Sequence, residues 1–252
     1  MLGEAALYGA IVGAAFPVGS VLSRFNPFGH RGFAAVMAFG AGLLLAASLV
    51  ELAPDAVHHL GVVPAAVLMV LAGATYSLLN RWLSSRGAEH RKRCGGCARP
   101  PTEEEQPGSG ASIALGTAMD ALPEALVLGV GVTAMGAPLS LVIALFLGNA
   151  AQAMSATSGL RHSGRGPRFV WGLWIGLGAL VTALSVIAAW CAGELPSSAS
   201  PALMALAAGV LIAMVAEAML PEASSEAENS PAPPALGLLA VLGAALFFGL
   251  HA

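Results

Sequence analysis

Apolar residues in this chain form long, nearly uninterrupted stretches that are separated by short polar connections. A bilayer has a hydrocarbon core about 30 Å thick, which a helix crosses with roughly 20 apolar residues. Eight stretches meet this requirement, at about 5–23, 33–51, 61–82, 112–132, 138–159, 169–191, 202–220 and 234–251. The pattern therefore predicts an all-α integral membrane protein with eight transmembrane helices.

The composition supports a membrane setting and leaves little room for a separate soluble domain. Hydrophobic residues make up 57% of the chain and charged residues 10%, whereas soluble domains carry about 25% charge. We expect residues 1–252 to form one polytopic domain, with a cytoplasmic loop at about 83–111 as its longest connection. The sequence contains no nucleophilic triad, phosphate-binding loop or nucleic-acid signature. It predicts neither an enzyme nor an ATP-driven pump, and no nucleotide or nucleic-acid partner.

The basic residues predict the orientation in the membrane. All Lys and Arg fall in three connections, which follow the first, third and fifth predicted helices: 24–31, 81–99 and 161–168. Because positive loops stay in the cytoplasm, both termini are expected outside the cytoplasmic membrane. The connection at 221–234 is also expected on the cytoplasmic side, although it is acidic and rich in proline.

A weak internal repeat relates the second and seventh predicted helices. Ala41-Gly42-x-Leu44-x-Ala46 with Pro54-Asp55-Ala56 recurs as Ala208-Gly209-x-Leu211-x-Ala213 with Pro221-Glu222-Ala223. The two helices have opposite predicted orientations, as in the inverted repeats of secondary transporters. The sequence thus predicts a 3+2+3 arrangement, in which helices four and five lie between two related halves.

Polar residues in helices four and five are the strongest functional signal. Asp120 and Glu124 are one helical turn apart, and Asn149 and Gln152 in the next helix are three residues apart. Acidic residues within a membrane are costly, so they usually face the bundle interior or an ion path. The four side chains predict a cation site with oxygen ligands shared by two neighbouring helices.

At these residues the chain resembles the ZIP (zinc/iron-regulated transporter-like) family of divalent metal transporters, in particular a divergent prokaryotic branch. Helix four is the most specific match, because Asp-Gly-x-Pro-Glu in that branch aligns with Asp120-Ala121-Leu122-Pro123-Glu124. The second and seventh helices also match, through Glu51-Leu-Ala-Pro-Asp55-Ala and Glu217-Ala-Met-Leu-Pro-Glu222-Ala. In helix five, the family pattern of Asn or Asp followed by Glu corresponds to Asn149 and Gln152.

The resemblance implies secondary transport of a divalent cation, most simply Zn²⁺, as substrate and with no permanently bound cofactor. It also implies a homodimer in the lipid bilayer. The family's first-ligand His is Asp120 here, its helix-five Glu is Gln152, and Ala121 and Ala151 replace further family residues. We therefore expect one principal site at Asp120, Glu124 and Asn149, with Gln152 as a weak contributor. Without imidazole or thiolate ligands, Mn²⁺, Fe²⁺ and Cd²⁺ are also candidate substrates.

Pro123 is expected to contribute to this site. It cannot donate a hydrogen bond to the carbonyl of Met119, so the helix is expected to kink between the two carboxylates. Without a cation, two nearby carboxylates should not both be charged, and one is expected to hold a proton that metal binding releases. The direction of proton flow stays open.

Other residues receive weaker interpretations. Glu217, about a turn before the predicted end of helix seven, is a candidate metal residue at the cytoplasmic exit or a plain interfacial acid. Glu51 and Asp55, at the outer end of helix two, either gather cations or, as the favoured interpretation, are solvated at a helix end. Cys191 is expected to be a small buried residue. His90, Cys94 and Cys97 form either an incomplete metal site or part of a reduced cytoplasmic loop. Gly172, Gly176 and Gly178 allow close helix contacts.

Two other functional classes stay open. The departures at Ala121, Ala151 and Gln152 fit a degenerate ZIP-like protein that binds or senses metal without transporting it. The polar cluster also fits a membrane scaffold in which buried polar side chains hold helices together.

Overall fold

The computed structural model describes residues 1–25, 29–85, 104, 109–136, 139–196 and 199–251. Within these ranges the backbone forms eight helices and no strand. The helices are α1 Leu2–Leu22, α2 Gly29–Leu60, α3 Val62–Ser85, α4 Ser109–Met135, α5 Leu139–His162, α6 Pro167–Glu194, α7 Ser200–Glu228 and α8 Leu236–His251. The predicted helical fold class is confirmed.

Seven helices, α1 to α7, are long and apolar enough to cross a membrane. Helix α8 is apolar but has 16 residues. At about 1.5 Å per residue it is roughly 24 Å long, somewhat less than a typical hydrocarbon core. The chain is a multi-pass membrane protein.

Helices α2 and α7 continue past their predicted ends at 51 and 220. Each contains one π-helical turn, Ser48–Leu52 in α2 and Val215–Met219 in α7, and resumes as an α-helix to Leu60 or Glu228. Pro54 and Pro221 lie in the first turn after these π turns. Because the helix continues through each π turn, the missing N–H of the proline removes one backbone hydrogen bond from it. The expectation that 221–234 is a connection is therefore wrong as far as Glu228.

Glycine residues allow three helix pairs to pack with their backbones in close contact. These pairs are α1 with α6, α2 with α8, and α3 with α7. Gly13 and Gly178 face each other, and a methyl group on Gly13 would lie 2.6 Å from the Gly178 carbonyl oxygen. Gly42 contacts the Ala240 carbonyl of α8 in the same way, and Gly209 contacts the Met69 carbonyl of α3.

Helix α5 lies at the centre of the bundle. It packs against α1, α2 and α4, and most of its side chains are buried. Around it, α2 and α7 run antiparallel, because Gly29–Ala47 packs against Leu220–Glu228 and Ala53–Leu60 packs against Ser200–Met214. A polar side chain on α5 is therefore surrounded by protein.

The basic connection after α1 and the basic connection between α5 and α6 meet at one end of the bundle. Arg24, after α1, lines a common cavity with Arg161 and Arg165, which lie at the end of α5 and before α6. The start of α2 and the end of α7 lie at the same end, where His30 contacts Glu226. We call this the basic end. It contains two of the three basic connections grouped by the sequence, and most of the third lies outside the described residues.

Candidate functional site

Asp120 and Glu124 are completely buried on α4. The prediction that both carboxylates face the bundle interior is confirmed. The Asp120 carboxylate accepts a hydrogen bond from the hydroxyl of Tyr76 on α3, with Oη and Oδ1 2.8 Å apart. Tyr76 was not predicted from the sequence, although it is one of only two tyrosines and lies in an apolar span. A buried tyrosine hydroxyl usually has a hydrogen-bond partner, which was the available signal.

Asn149 and Gln152 are also completely buried, on the central helix α5. Within the described ranges, none of their four amide nitrogen and oxygen atoms has a hydrogen-bond partner. Leaving a buried polar group unsatisfied costs about 1–3 kcal/mol. Native proteins therefore rarely leave such groups unpaired unless water, an ion or a ligand contacts them. The two amides are available to a molecule that enters the bundle.

The donor chemistry of this cluster is that of a cation site built from oxygen atoms. Helices α4 and α5 pack together and carry two carboxylates and two amides between them. Among described residues there is no group of three or more His, Cys, Asp or Glu side chains that could hold a metal ion. A cation bound here would therefore depend on the amide oxygens of Asn149 and Gln152 as well as on the carboxylates. Such oxygen-rich surroundings suit hard or borderline cations.

Pro123 lies inside the continuous helix α4, between the two carboxylate positions. Its ring lines an apolar cavity of about 190 Å³ between α4 and α7, together with Val127, Leu206 and Val210. Since this cavity has almost no polar lining, it adds no ligands to the cluster. Pro123 still removes one backbone hydrogen bond from the helix at this level.

Glu217 lies apart from the buried cluster, on the exposed side of the π turn in α7. It accepts hydrogen bonds from Ser77 at 2.5 Å and from Asn80 at 3.1 Å, both on α3. The prediction that Glu217 lies about a turn before the end of its helix is wrong, because α7 continues to Glu228. Adjacent residues of α3, Tyr76 and Ser77, thus contact Asp120 and Glu217 respectively.

Glu51 is buried and not solvated, contrary to the sequence-based expectation. It lies in the π turn of α2, is 5% exposed, and accepts a hydrogen bond from Ser140 at the start of α5. The expectation failed because α2 continues for nine residues beyond Glu51. Asp55 is 32% exposed and lies 3.5 Å from the His59 ring, as a residue at the membrane edge would.

A second buried acidic cluster at the basic end was missed by sequence reasoning. The Ser155 hydroxyl lies 2.6 Å from Glu222 and 3.3 Å from Glu226. His30 Nδ1 lies 2.7 Å from the other oxygen of Glu226. His30 is half exposed, while Glu222 and Glu226 are buried. The spacing of the two acids, four residues apart on one helix face, was the available signal.

The remaining predicted residues have mixed outcomes. Cys191 is exposed, so the prediction that it is buried is wrong; it lies on the outer surface of α6. Of the three glycines, Gly178 makes the expected close contact, whereas a methyl group on Gly172 or Gly176 would meet nothing within 4 Å. Residues 86–100, with His90, Cys94 and Cys97, lie outside the described part of the chain.

Comparisons with known proteins provide no identification for this multi-pass helical membrane protein. No protein-family model matches the chain, and no curated protein sequence matches it. The functional interpretation therefore depends on the residues of the bundle itself.

Proposed function

We propose that the protein is a secondary transporter that moves divalent metal cations across the cytoplasmic membrane. Zn²⁺ is the first candidate substrate, and Mn²⁺, Fe²⁺ and Cd²⁺ are the alternatives. The observation that carries the proposal is the complete burial of Asp120, Glu124, Asn149 and Gln152 on two packed membrane helices. A scaffold has no need for buried amides without hydrogen-bond partners, whereas a cation pathway needs oxygen atoms that are available.

The helix packing supports a 3+2+3 arrangement with an inverted repeat. If α1, α2 and α3 correspond to α6, α7 and α8, the contact of α2 with α8 is equivalent to that of α7 with α3. The repeat exchanges α1 and α6, so the contact between these two helices maps onto itself. The mutual approach of Gly13 and Gly178 fits this symmetry. The two π turns also lie at equivalent positions of the repeat. Transporters with such repeats bind their substrate between the halves, which is the position that the proposed arrangement gives to α4 and α5.

The orientation proposed from the positive loops places the basic end in the cytoplasm and both termini outside. The convergence of Arg24, Arg161 and Arg165 at one end of the bundle supports this assignment. A homodimer is proposed from the family resemblance.

In the proposed mechanism, Asp120 and Glu124 supply the charge that attracts the cation, and the amide oxygens of Asn149 and Gln152 replace part of its water shell. Tyr76 holds one oxygen of Asp120 and fixes the orientation of that carboxylate. Two carboxylates on one face of a buried helix repel each other when both are charged, and a bound cation relieves that repulsion.

Further acidic groups lie along α5 on both sides of the proposed site. Ser140 contacts Glu51 towards the outer end of α5, and Ser155 contacts Glu222 and Glu226 towards the basic end. At about 1.5 Å per residue, the two serines lie roughly 22 Å apart along the helix. Asn149 and Gln152 lie between them. We propose that these acids mark the two ends of the cation path.

The test is metal uptake into proteoliposomes that contain the purified full chain. Zn²⁺, Mn²⁺, Fe²⁺ and Cd²⁺ are compared, with a proton gradient applied in each direction. The site variant is Asp120→Asn/Glu124→Gln, which keeps side-chain size. The control is Glu4→Gln/Glu194→Gln, which removes two acids that are exposed near helix ends. We expect flux in the wild type and the control and none above background in the site variant.

A second candidate function, metal binding without transport, is favoured by Gln152, which occupies the position of a family glutamate. If the wild type binds metal but moves none, while Gln152→Glu moves it, the chain is a degenerate member. Equal flux, or equal absence of binding, in the wild type and a correctly folded site variant contradicts the proposed site.

A further inference from the structure

At the basic end, a cavity of about 90 Å³ is lined by three arginines from separate parts of the chain. Arg24 follows α1, Arg161 lies in the last turn of α5, and Arg165 precedes α6. The other lining residues are Pro167, Val170 and Trp171 at the start of α6. Topology alone predicts basic loops at this end, but it does not predict that their side chains converge on one cavity.

Two of the three positive charges at this cavity, those of Arg24 and Arg161, lie close together. Arg24 and Arg161 are close enough to repel each other electrostatically. Neither lies within 4 Å of a carboxylate in the part of the chain that the structure describes. The Arg165 guanidinium carbon lies 4.6 Å from the centre of the Phe169 ring, a contact that orients this side chain. An anion in the cavity would relieve the repulsion.

The start of α6 adds further features of an anion site at a membrane surface. Pro167, the first residue of this 28-residue helix, lines the cavity. The N-terminus of a helix carries a partial positive charge that favours anions. Trp171, half-buried one turn along, also lines the cavity. Tryptophan is enriched at the level of lipid headgroups.

We propose that this cavity binds a phosphate-bearing anion at the membrane surface, held by Arg24, Arg161 and Arg165. The cavity, about 90 Å³ in volume, has room for a phosphate group. Arginine matches phosphate geometry with paired N–H donors. Basic pockets between membrane helices bind anionic lipid headgroups in this way. The two sources of the anion are a phospholipid headgroup and free inorganic phosphate. This site is independent of metal transport.

The experiment is a titration of the full chain in detergent, read by native mass spectrometry. Phosphatidylglycerol, phosphatidylcholine and inorganic phosphate are added separately to the wild type, Arg24→Gln/Arg161→Gln and Arg31→Gln/Arg168→Gln. The last variant is a matched control, because it removes two exposed arginines of the same loops that do not line the cavity. Thermal unfolding of each protein shows that it is folded and also reports stabilisation by phosphate.

We expect phosphatidylglycerol to bind the wild type and the control in preference to phosphatidylcholine, and to bind the site variant about 30-fold more weakly. Stabilisation by inorganic phosphate that the site variant alone loses would support the same site with a free anion as its ligand. Arg24→Lys/Arg161→Lys, which keeps both charges, should bind more tightly than the glutamine variant. Equal binding by the site variant and the control, or no preference for the anions, would overturn the proposal.

Discussion

Helices α2 and α7 contain π turns of equal length at equivalent positions, yet their acidic side chains have different surroundings. Glu51 is the fourth residue of its turn and points to Ser140 in the bundle interior. Glu217 is the third residue of its turn and is exposed beside Ser77 and Asn80 of α3. A shift of one residue rotates a side chain by roughly 100° about a helix. Helices α2 and α7 thus share a backbone feature, while the acidic side chains within it have different contacts.

The acids that follow the two π turns differ in the same way. Asp55 and Glu222 occupy equivalent places after Pro54 and Pro221. Asp55 lies at the edge of the bundle near His59, whereas Glu222 is buried and accepts a hydrogen bond from Ser155. The acids that contact α5 therefore come from different positions, Glu51 within the π turn of α2 and Glu222 after the π turn of α7.

The largest expected effect tests whether α2 packs against α8 as closely as α7 packs against α3. A methyl group on Gly42 would lie 1.9 Å from the Ala240 carbonyl oxygen, and one on Gly209 would lie 2.1 Å from that of Met69. Because each substitution forces helix backbones apart, Gly42→Ala and Gly209→Ala should each lower the free energy of unfolding by about 3 kcal/mol. Unfolding in mixed detergent micelles measures this change.

Gly172→Ala and Gly176→Ala are the controls, since a methyl group there would meet nothing within 4 Å. They should leave stability unchanged or raise it by up to about 1 kcal/mol, because alanine favours a helix over glycine. If alanine is tolerated at only one of Gly42 and Gly209, the packing of the two halves is not equivalent.

An intermediate effect tests the two buried acids that contact α5. Glu51→Leu and Glu222→Leu each remove the acceptor of a serine hydroxyl and should cost about 1–3 kcal/mol. Adding Ser140→Ala to the first variant should recover most of this loss, because both partners of the hydrogen bond are then gone. Adding Ser155→Ala to the second should recover less, since Ser155 also contacts Glu226. Double-mutant cycles measure the coupling energy of Glu51 with Ser140 and of Glu222 with Ser155. Equal recovery of stability in the two pairs would contradict the expected difference between them.

The smallest expected effect concerns the exposed acid. Glu217→Gln keeps an oxygen acceptor for Ser77 and Asn80 and changes no buried group, so stability should change by less than about 0.5 kcal/mol. The same unfolding measurement on Glu222→Gln tests a buried acid, for which we expect a larger loss of stability. A loss for Glu217→Gln as large as that for Glu222→Gln would show that Glu217 is not peripheral.

Much of the fold could be predicted because membrane helices are encoded by long apolar stretches. The ends of α2 and α7 could not, because Pro54 and Pro221 are common signals for the end of a helix. Nothing local in the sequence indicates that a π turn precedes each proline. The burial of Glu51 and the exposure of Cys191 were mispredicted because they depend on which neighbour each helix face meets.

The buried polar residues of α4 and α5 were predictable, since the cost of a polar group in lipid decides which way it points. Their partners were not predictable to the same degree. Tyr76 lies 44 positions from Asp120, and His30 lies 196 positions from Glu226. Such pairs depend on the order in which helices pack, which a single sequence does not specify.

The π turns also change how substitutions along α2 and α7 should be interpreted. A π turn holds one residue more than an α-turn, so the positions before and after it are out of phase by about one residue. A helical wheel drawn from Gly29 to Leu60 would place the residues after Ser48–Leu52 on the wrong side of α2. The lipid-facing side of α2 therefore consists of two stripes, one before and one after the π turn, which are offset around the helix axis. Helix α7 has the same offset at Val215–Met219.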